Sequence, residues 1–316
     1  VVVKTFACGV NYADICIRWG LYESAKKFVG WPITPGFEFS GVIQWKGENV
    51  TEFEIGQEVF GASLFGSYSE CIRVPKNQLF ALPKKMSKNE AAGLPTVALT
   101  AWYAFFELAH TRPGAWVLVH SAAGGVGSML VQMAKIAGCH AVGVVGAGHK
   151  IDFVRSLGCD HVIDKSAQDL WQEAKVICPD GFSAVFDANG VATLKQSYAH
   201  LAPGGKLVIY GKNVMEDLSR SLMPQMGKAT FYPNIPCQFL SMTTANKSIM
   251  AFNLSFMFDQ IELLAGAMKQ IIGWVEEGQL KVARVSSYPL KQVAMAHRDL
   301  ESAQTVGKLV LTMNDH

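Results

Sequence analysis

The sequence has little of what would mark a secreted, membrane-spanning or nucleic-acid-binding chain. Its seven cysteines, Cys8, Cys16, Cys71, Cys139, Cys159, Cys178 and Cys237, include no CxxC pair and share no spacing. An odd, scattered set argues against a disulfide frame or a zinc knuckle and predicts reduced thiols in a cytoplasmic compartment. Charge is sparse: acidic and basic residues make up 17% of the chain, and 28 Lys and Arg against 26 Asp and Glu leave a net charge of +2. No basic tract stands out, so no nucleic-acid partner is expected. The longest run free of acids and bases, Pro113 to Ala134, is interrupted by Gly114, Gly124, Gly125 and Gly127 and carries His120, Ser121 and Gln132. Such a run reads as a buried strand, a glycine turn and a helix start, and no transmembrane segment is expected. No basic leader precedes the apolar run that opens at Val1. The expectation is a chain that starts inside a strand, with the N-terminus of its first domain missing.

What is present is core material. Half of the 316 residues are hydrophobic, which excludes disorder as the dominant state, and the length suits one large domain or two ordinary ones. From Trp116 onward the pattern is regular. Apolar runs at Trp116 to His120, His140 to Val145, His161 to Ile163, Ser183 to Phe186 and Lys206 to Tyr210 alternate with helical stretches around Val126 to Ala137, Ile151 to Leu157, Leu170 to Ile177 and Leu194 to Leu201. Strand and helix alternating at this spacing predict βαβ units and a doubly wound parallel sheet, an α/β architecture. Before residue 90 the texture differs. Short β-like runs at Val1 to Val10, Phe39 to Trp45, Glu58 to Ala62, Tyr68 to Val74 and Gln78 to Leu82 are broken by Gly and Pro, which predicts a compact antiparallel β domain. After a long helical stretch near Phe258 to Glu277, the tail offers Val282 to Tyr288, a helix from Lys291 to Ser302 and a strand from Val306 to Thr312. The tail is expected to return to the first domain, leaving the sheet domain as an insert.

The clearest chemistry is the turn Ser121-Ala122-Ala123-Gly124-Gly125-Val126-Gly127, which follows an apolar strand and opens a helix. It is a dinucleotide fingerprint with Ala122 at the first glycine and Gly124 and Gly127 at the second and third. Gly124 lets backbone approach a pyrophosphate, Gly127 lets the helix pack close to the strand, and the free N–H groups at the helix start face the anion. Ala123, Gly125 and Val126 complete the turn. An acid about 20 residues further on would favour NAD. Here the second strand ends Val144-Val145-Gly146-Ala147-Gly148-His149-Lys150, with small residues in that place and a cation beyond, so NADPH is the expected cofactor. Lys150 reads either as a partner of a 2′-phosphate or as a solvated helix-start lysine, and Lys165 is a second candidate on the same edge. Asn189-Gly190-Val191 and Tyr210-Gly211-Lys212 follow the fourth and fifth strands, where ligands lie in wound sheets.

Several segments together carry a family likeness: Ala7-Cys8-Gly9-Val10-Asn11-Tyr12-Ala13-Asp14, Gly20-Leu21-Tyr22, Thr34-Pro35-Gly36-Phe37-Glu38, the glycine turn, Leu157 to Asp164, and Val306-Gly307-Lys308. The chain resembles zinc-independent medium-chain dehydrogenases/reductases of the quinone oxidoreductase (zeta-crystallin-like) type. That group includes the vesicle amine transport protein homologues and, more distantly, mitochondrial enoyl thioester reductases. The resemblance implies a GroES-like substrate domain from residues 1–90 and 280–316, a Rossmann domain over 91–279, a cleft at their junction and a homodimer.

It also implies a reaction. Zinc-dependent relatives carry Cys and His where this sequence has Asn11 and Phe37, and neither replacement binds zinc, so no metal is expected. Without a Lewis acid, hydride must reach a carbon that is already electron-poor, in a quinone or an α,β-unsaturated carbonyl. By analogy with the enoyl reductases, Tyr22 is expected to deliver the proton and Asn11 to position the carbonyl. Tyr22 as a packing aromatic is the plainer alternative. Two departures weaken the likeness: Cys16 stands where quinone reductases often carry a tyrosine, and Ala303 where a basic residue helps hold the 2′-phosphate. Together with the Met-, Phe- and Pro-rich segment Met223 to Phe258, which reads as a dimer seam before an apolar wall for a bulky substrate or a membrane-touching patch, they motivate a second reading. It is an NADPH-binding scaffold or vesicle-associated interaction protein with little turnover.

Overall fold

Val117, Leu118 and Val119 are all fully buried, as a strand covered on both faces must be. The structure, a computed structural model, describes residues 1–211, 239–282 and 284–313. The chain divides into two compact units, Val1–Leu99 with Leu254–His316, and Thr100–Asn253. Residues 254–279 group with the first unit. There, Ser255 Oγ donates to Ser24 Oγ at 2.8 Å and Lys85 reaches the carbonyl of Glu276.

The second unit holds strands β6 (Trp116–Val119), β7 (His140–Val145), β8 (His161–Asp164), β9 (Phe182–Asp187), β10 (Leu201–Ile209) and β11 (Ser248–Ala251). They form one sheet in the order β11-β10-β9-β6-β7-β8, with every pair parallel. The chain therefore runs outward from β6 through β7 to β8, then crosses to the other side of β6 for β9. That reversal between β6 and β9 is the topological switch point of a doubly wound sheet, the place where such sheets take their ligands. The helices Gly125–Ile136, Ile151–Ser156, Leu170–Ile177 and Val191–Ala199 connect the strands. Leu118, Val142, Ile163, Val185 and Leu207 fill the core beside Leu170 and Leu194.

The first unit is built on strands β1 (Val2–Val10), β2 (Glu38–Trp45), β3 (Glu58–Ala62), β4 (Cys71–Arg73), β5 (Leu79–Ala81), β12 (Val285–Pro289) and β13 (Lys308–Thr312). The sheet order is β12-β13-β1-β2-β3-β5, with β4 also on β1. Pairing is antiparallel except for β12 with β13, which run parallel. The sheet is thus mixed, and the antiparallel expectation holds for its other pairs. The exception arises because the Val293–Glu301 helix carries the chain back over the sheet between the two strands. Register pairs Val10 with Leu309 and Ala7 with Thr312, so the two ends of the sequence lie side by side. Val3, Phe39, Ile43, Val59, Leu309 and Leu311 are among the buried residues of its core.

Candidate functional site

In the second unit, the glycine turn sits at the C-terminal end of β6, on the switch point. Ser121 takes a left-handed φ of 53°, uncommon for a residue with a side chain. The turn is closed by Gly124 N donating to Ser121 O at 2.9 Å, and Ala122 N ties it to Val144 O at 3.0 Å. Gly127 is needed for packing, since a Cβ there would lie 2.3 Å from Ser121 O and 2.8 Å from Ala122 Cα. Gly124 is the N-cap of the Gly125–Ile136 helix and supplies no side-chain cap. The first N–H groups of that helix therefore receive no side-chain acceptor from the cap residue and carry its partial positive charge.

Across the switch point, Asn189 follows the end of β9. Its Oδ1 accepts from Ser121 Oγ at 3.0 Å, and its N donates to Asp187 Oδ1 at 2.8 Å. Asn189 Nδ2 is buried and has no hydrogen-bond partner among the described residues. Gly190, the N-cap of the Val191–Ala199 helix, has φ 75° and ψ −145°, a combination that is essentially glycine-only. Tyr210 and Gly211 come to the same place: Tyr210 N donates to Asp187 O at 3.2 Å, and a Cβ on Gly211 would stand 3.7 Å from that of Ala188. Lys212 lies outside the described residues. At the neighbouring strand ends, a Cβ on Gly146 would lie 3.7 Å from Lys165 Cε, so the Lys165 chain passes over the end of β7. Lys150 is buried, and burial first and the Lys165 charge second lower its pKa. An acid does stand nearby, supplied by β8: Asp164, whose Oδ1 accepts from Ser166 N at 2.9 Å and Ser166 Oγ at 2.6 Å.

A nicotinamide dinucleotide fits this set of residues. The uncapped helix start suits a pyrophosphate, and the buried, unpaired Asn189 Nδ2 is a donor awaiting an acceptor.

The first unit carries a buried polar cluster at the end of β1. Lys308 Nζ donates to Glu38 Oε1 at 2.7 Å, to Asn11 Oδ1 at 2.5 Å and to Val10 O at 3.0 Å. Asn11 Nδ2 donates to Glu38 Oε1 at 2.8 Å, and Thr96 N to Glu38 Oε2 at 2.7 Å. Beside it, Asp14 accepts from Asn11 N and Gly36 N, both at 2.8 Å, and from Tyr68 OH at 3.1 Å. Burial pushes the Asp14 carboxyl up to about 7 against those three donors and Lys308, which pull it down. Tyr68 OH also meets His297 Nε2 at 3.2 Å, and His297 Nδ1 lies 3.4 Å from Arg18. Arg18 can only donate, so His297 Nδ1 is the acceptor and the ring carries its proton on Nε2. The line of donors then runs from Arg18 through His297 and Tyr68 to Asp14.

Tyr22 packs edge-on against Phe37 at 5.7 Å, and Phe37 tilts against Phe65 at 5.1 Å, in an apolar cluster with Ile17 and Ala25. Cys16 is buried. Tyr68, His297 and the role of Lys308 do not emerge from the sequence pattern. For Lys308 a signal is there, a lysine opening an otherwise apolar final strand. The donor set does not suit zinc: an amide and a phenyl ring stand at the ligand positions, and the carboxylate is already paired with an ammonium. Among the described residues no three His, Cys, Asp or Glu side chains are grouped to hold a metal ion.

A parallel sheet with a fingerprint turn at its switch point, joined to a mixed β unit made from both ends of the chain, defines a two-unit dinucleotide-fold protein of the oxidoreductase type. The alcohol dehydrogenase GroES-like domain family matches residues 1–84, and the zinc-binding dehydrogenase family matches residues 157–311. The synaptic vesicle membrane protein VAT-1 homolog of Danio rerio is 34% identical over 313 residues, covering 99% of this chain and 64% of the relative. This chain therefore spans under two thirds of that protein's length. The 2-haloacrylate reductase of a Burkholderia species is 30% identical, covering 98% of this chain and 89% of the relative. Among solved structures, the CurK enoyl reductase superposes with a TM-score of 0.84 at 30% identity, covering 99% of this chain and 91% of that one. Escherichia coli quinone oxidoreductase complexed with NADPH gives 0.83 at 26%, covering 98% and 90%. The chain belongs to the medium-chain dehydrogenase/reductase family.

Proposed function

We propose that this protein is a zinc-independent, NADPH-dependent reductase of quinones or α,β-unsaturated carbonyls. The observation that carries the reading is the Asn11 amide, held by Glu38 and Lys308 where zinc-type relatives place a metal ligand. When bound, the nicotinamide supplies a hydride. The chain's own part is to meet the negative charge that then appears on the acceptor's oxygen. Glu38 takes one hydrogen of the Asn11 NH₂ group, and the second is available to that oxygen. The Lys308 ammonium on Asn11 Oδ1 polarises the amide and strengthens it as a donor. Tyr22 delivers the proton. On the second unit, Ala123 to Gly127, Gly146, Asn189, Gly190, Tyr210 and Gly211 form the cofactor set, with Lys150 and Lys165 paired for the 2′-phosphate. Lys212 belongs to the same proposal from its place in the sequence. The NADPH-bound quinone oxidoreductase and the reductase relatives support this reading. A cytoplasmic homodimer completes it. No helix among the described residues is long and apolar enough to cross a membrane.

The test follows NADPH and NADH consumption against an ortho-quinone, a para-quinone, an unsaturated ketone and an enoyl thioester. NADPH-selective reduction of one class supports the reading and names the acceptor. Saturable NADPH binding without turnover of any acceptor favours instead the scaffold reading, which the likeness to vesicle membrane proteins motivates. Tyr22→Phe is expected to lower kcat about a hundredfold, as loss of a general acid does, with the NADPH dissociation constant unchanged. Parallel loss of both in stopped-flow and titration assays would assign Tyr22 a packing role.

A further inference from the structure

The carboxylate at the end of β9 is more heavily engaged than a strand end needs. Asp187 is fully buried. Its Oδ1 accepts from Asn189 N at 2.8 Å and its Oδ2 from Ser197 Oγ at 2.7 Å, while the single hydroxyl hydrogen of Thr193 is shared between Oδ1 at 2.9 Å and Oδ2 at 2.8 Å. All these donors belong to the turn after β9 or to the Val191–Ala199 helix, whose N-terminal partial charge also favours a carboxylate there. Behind Asp187 stands His120, the residue after β6, also fully buried, with Nε2 at 3.0 Å from Ser197 Oγ. Ser197 spends its one hydrogen on Asp187, so His120 must donate from Nε2, and Nδ1 is left as a bare acceptor. Nδ1 has no partner among the described residues. A protonated ring would bury an unsatisfied N–H, so the ring is neutral; burial foremost, and Lys165, lower its pKa against the pull of Asp187. His120, Ser197 and Asp187 thus form a closed chain of hydrogen bonds across the two strands that bound the switch point.

One exposed consequence of this buried chain is the pose of Asn189. Asp187 pins its backbone, Ser121 pins Oδ1, and Nδ2 is left over, buried and without a hydrogen-bond partner among the described residues. We propose that Asp187 is a positioning residue of the dinucleotide site: backed by Ser197 and a neutral His120, it fixes the turn so that Asn189 Nδ2 donates to an acceptor oxygen of the bound cofactor. The inference rests on the cofactor reading above and adds to it the residues that aim the donor. A buried amide N–H left unmade is costly, whereas one completed by the ligand adds affinity.

The test is NADPH affinity, measured by fluorescence titration of the full chain, beside thermal melting without cofactor. Asn189→Ala is expected to weaken NADPH about tenfold, the equivalent of one hydrogen bond, with melting little changed. Asp187→Asn is expected to weaken it similarly, and the double variant to be no weaker than Asn189→Ala, because Asp187 acts through Asn189. If Asp187→Asn does not fold, Thr193→Val, which removes a single donor from Asp187, takes its place in the cycle. Unchanged affinity in Asn189→Ala, or additive losses in the double variant, would overturn the inference and leave the cofactor reading standing. A wild-type chain that binds no NADPH would overturn both.

Discussion

Lys308→Met is expected to lower the unfolding free energy by about 3–5 kcal/mol, the usual cost of breaking a buried ion pair from one side. The Lys308 and Glu38 side chains are 4% and 0% exposed. The ammonium has three hydrogens and three acceptors, in Glu38, Asn11 and Val10, so nothing of its hydrogen-bonding capacity is wasted. Without it, Glu38 keeps, among the described residues, the Asn11 amide and Thr96 N as partners for its carboxylate. Relaxation gives little relief. A Cβ on Gly9 would lie 2.2 Å from Glu38 Oε1, and one on Gly93 would lie 2.7 Å from Lys308 Cγ, so backbone already presses on both side chains. Glu38→Gln combined with Lys308→Met is expected to recover much of the loss, because no charge is then left unpaired. Urea unfolding of wild type, the single and the double variant measures this. A single variant within about 1 kcal/mol of wild type, the range of exposed pairs, would show that water reaches the cluster.

That cluster also marks where sequence reasoning runs short. Strands whose pattern is local are legible: β3 and β7 fall on Glu58–Ala62 and His140–Val145 as the apolar runs predict. The glycine turn is legible because its spacing is itself the chemistry, a tight approach at Gly127 and an uncapped helix at Gly124. β10 is only half visible. The apolar run shows it only from Lys206, yet the strand runs from Leu201 to Ile209 and absorbs Pro203, Gly204 and Gly205 in a register shift against β9. The short helices Tyr12–Arg18 and Glu23–Phe28 escape notice, since six or seven residues carry too little periodicity to register. The polar partners escape for another reason. Lys308 meets Glu38, and His297 meets Tyr68, across most of the chain's length. No local pattern encodes a pairing that only the β1–β13 register creates. Asp187 and His120 are likewise invisible, each being one polar residue at the end of an apolar strand until the sheet order sets β9 against β6.

The second large effect expected is a stability that falls as pH rises through the Asp14 titration. Asp14 is fully buried, and its carboxyl is raised from 3.8 to about 7. Between those values the folded chain holds a proton on Asp14 that the unfolded chain has released. Stability changes with pH as the protons bound by the unfolded state minus those bound by the folded state, a negative difference here, so it declines with rising pH. The contribution is fully present below pH 4 and is lost by about pH 8. At 1.36 kcal/mol per unit it amounts to roughly 4 kcal/mol. His297 works the other way: burial first, and Arg18 second, lower its pKa below 6.5, so its contribution is present above that value and lost as pH falls. Subtraction separates the two. The wild-type unfolding free energy minus that of Asp14→Asn should decline from pH 4 to pH 8, since His297 is common to both chains. The amide that Asp14→Asn introduces would turn an N–H toward backbone donors and lower stability at every pH, but that offset leaves the slope of the difference intact. Tyr68→Phe supplies an independent check. It removes the hydroxyl that donates to Asp14 at 3.1 Å, a bond that favours the ionised carboxylate. Its cost should therefore be about 1.5–3 kcal/mol at pH 8, as for a hydrogen bond to a charged group, and smaller at pH 5, where Asp14 is protonated. Equal costs at the two pH values, together with a flat difference curve, would mean that Asp14 keeps an ordinary carboxyl pKa and that its three donors outweigh its burial.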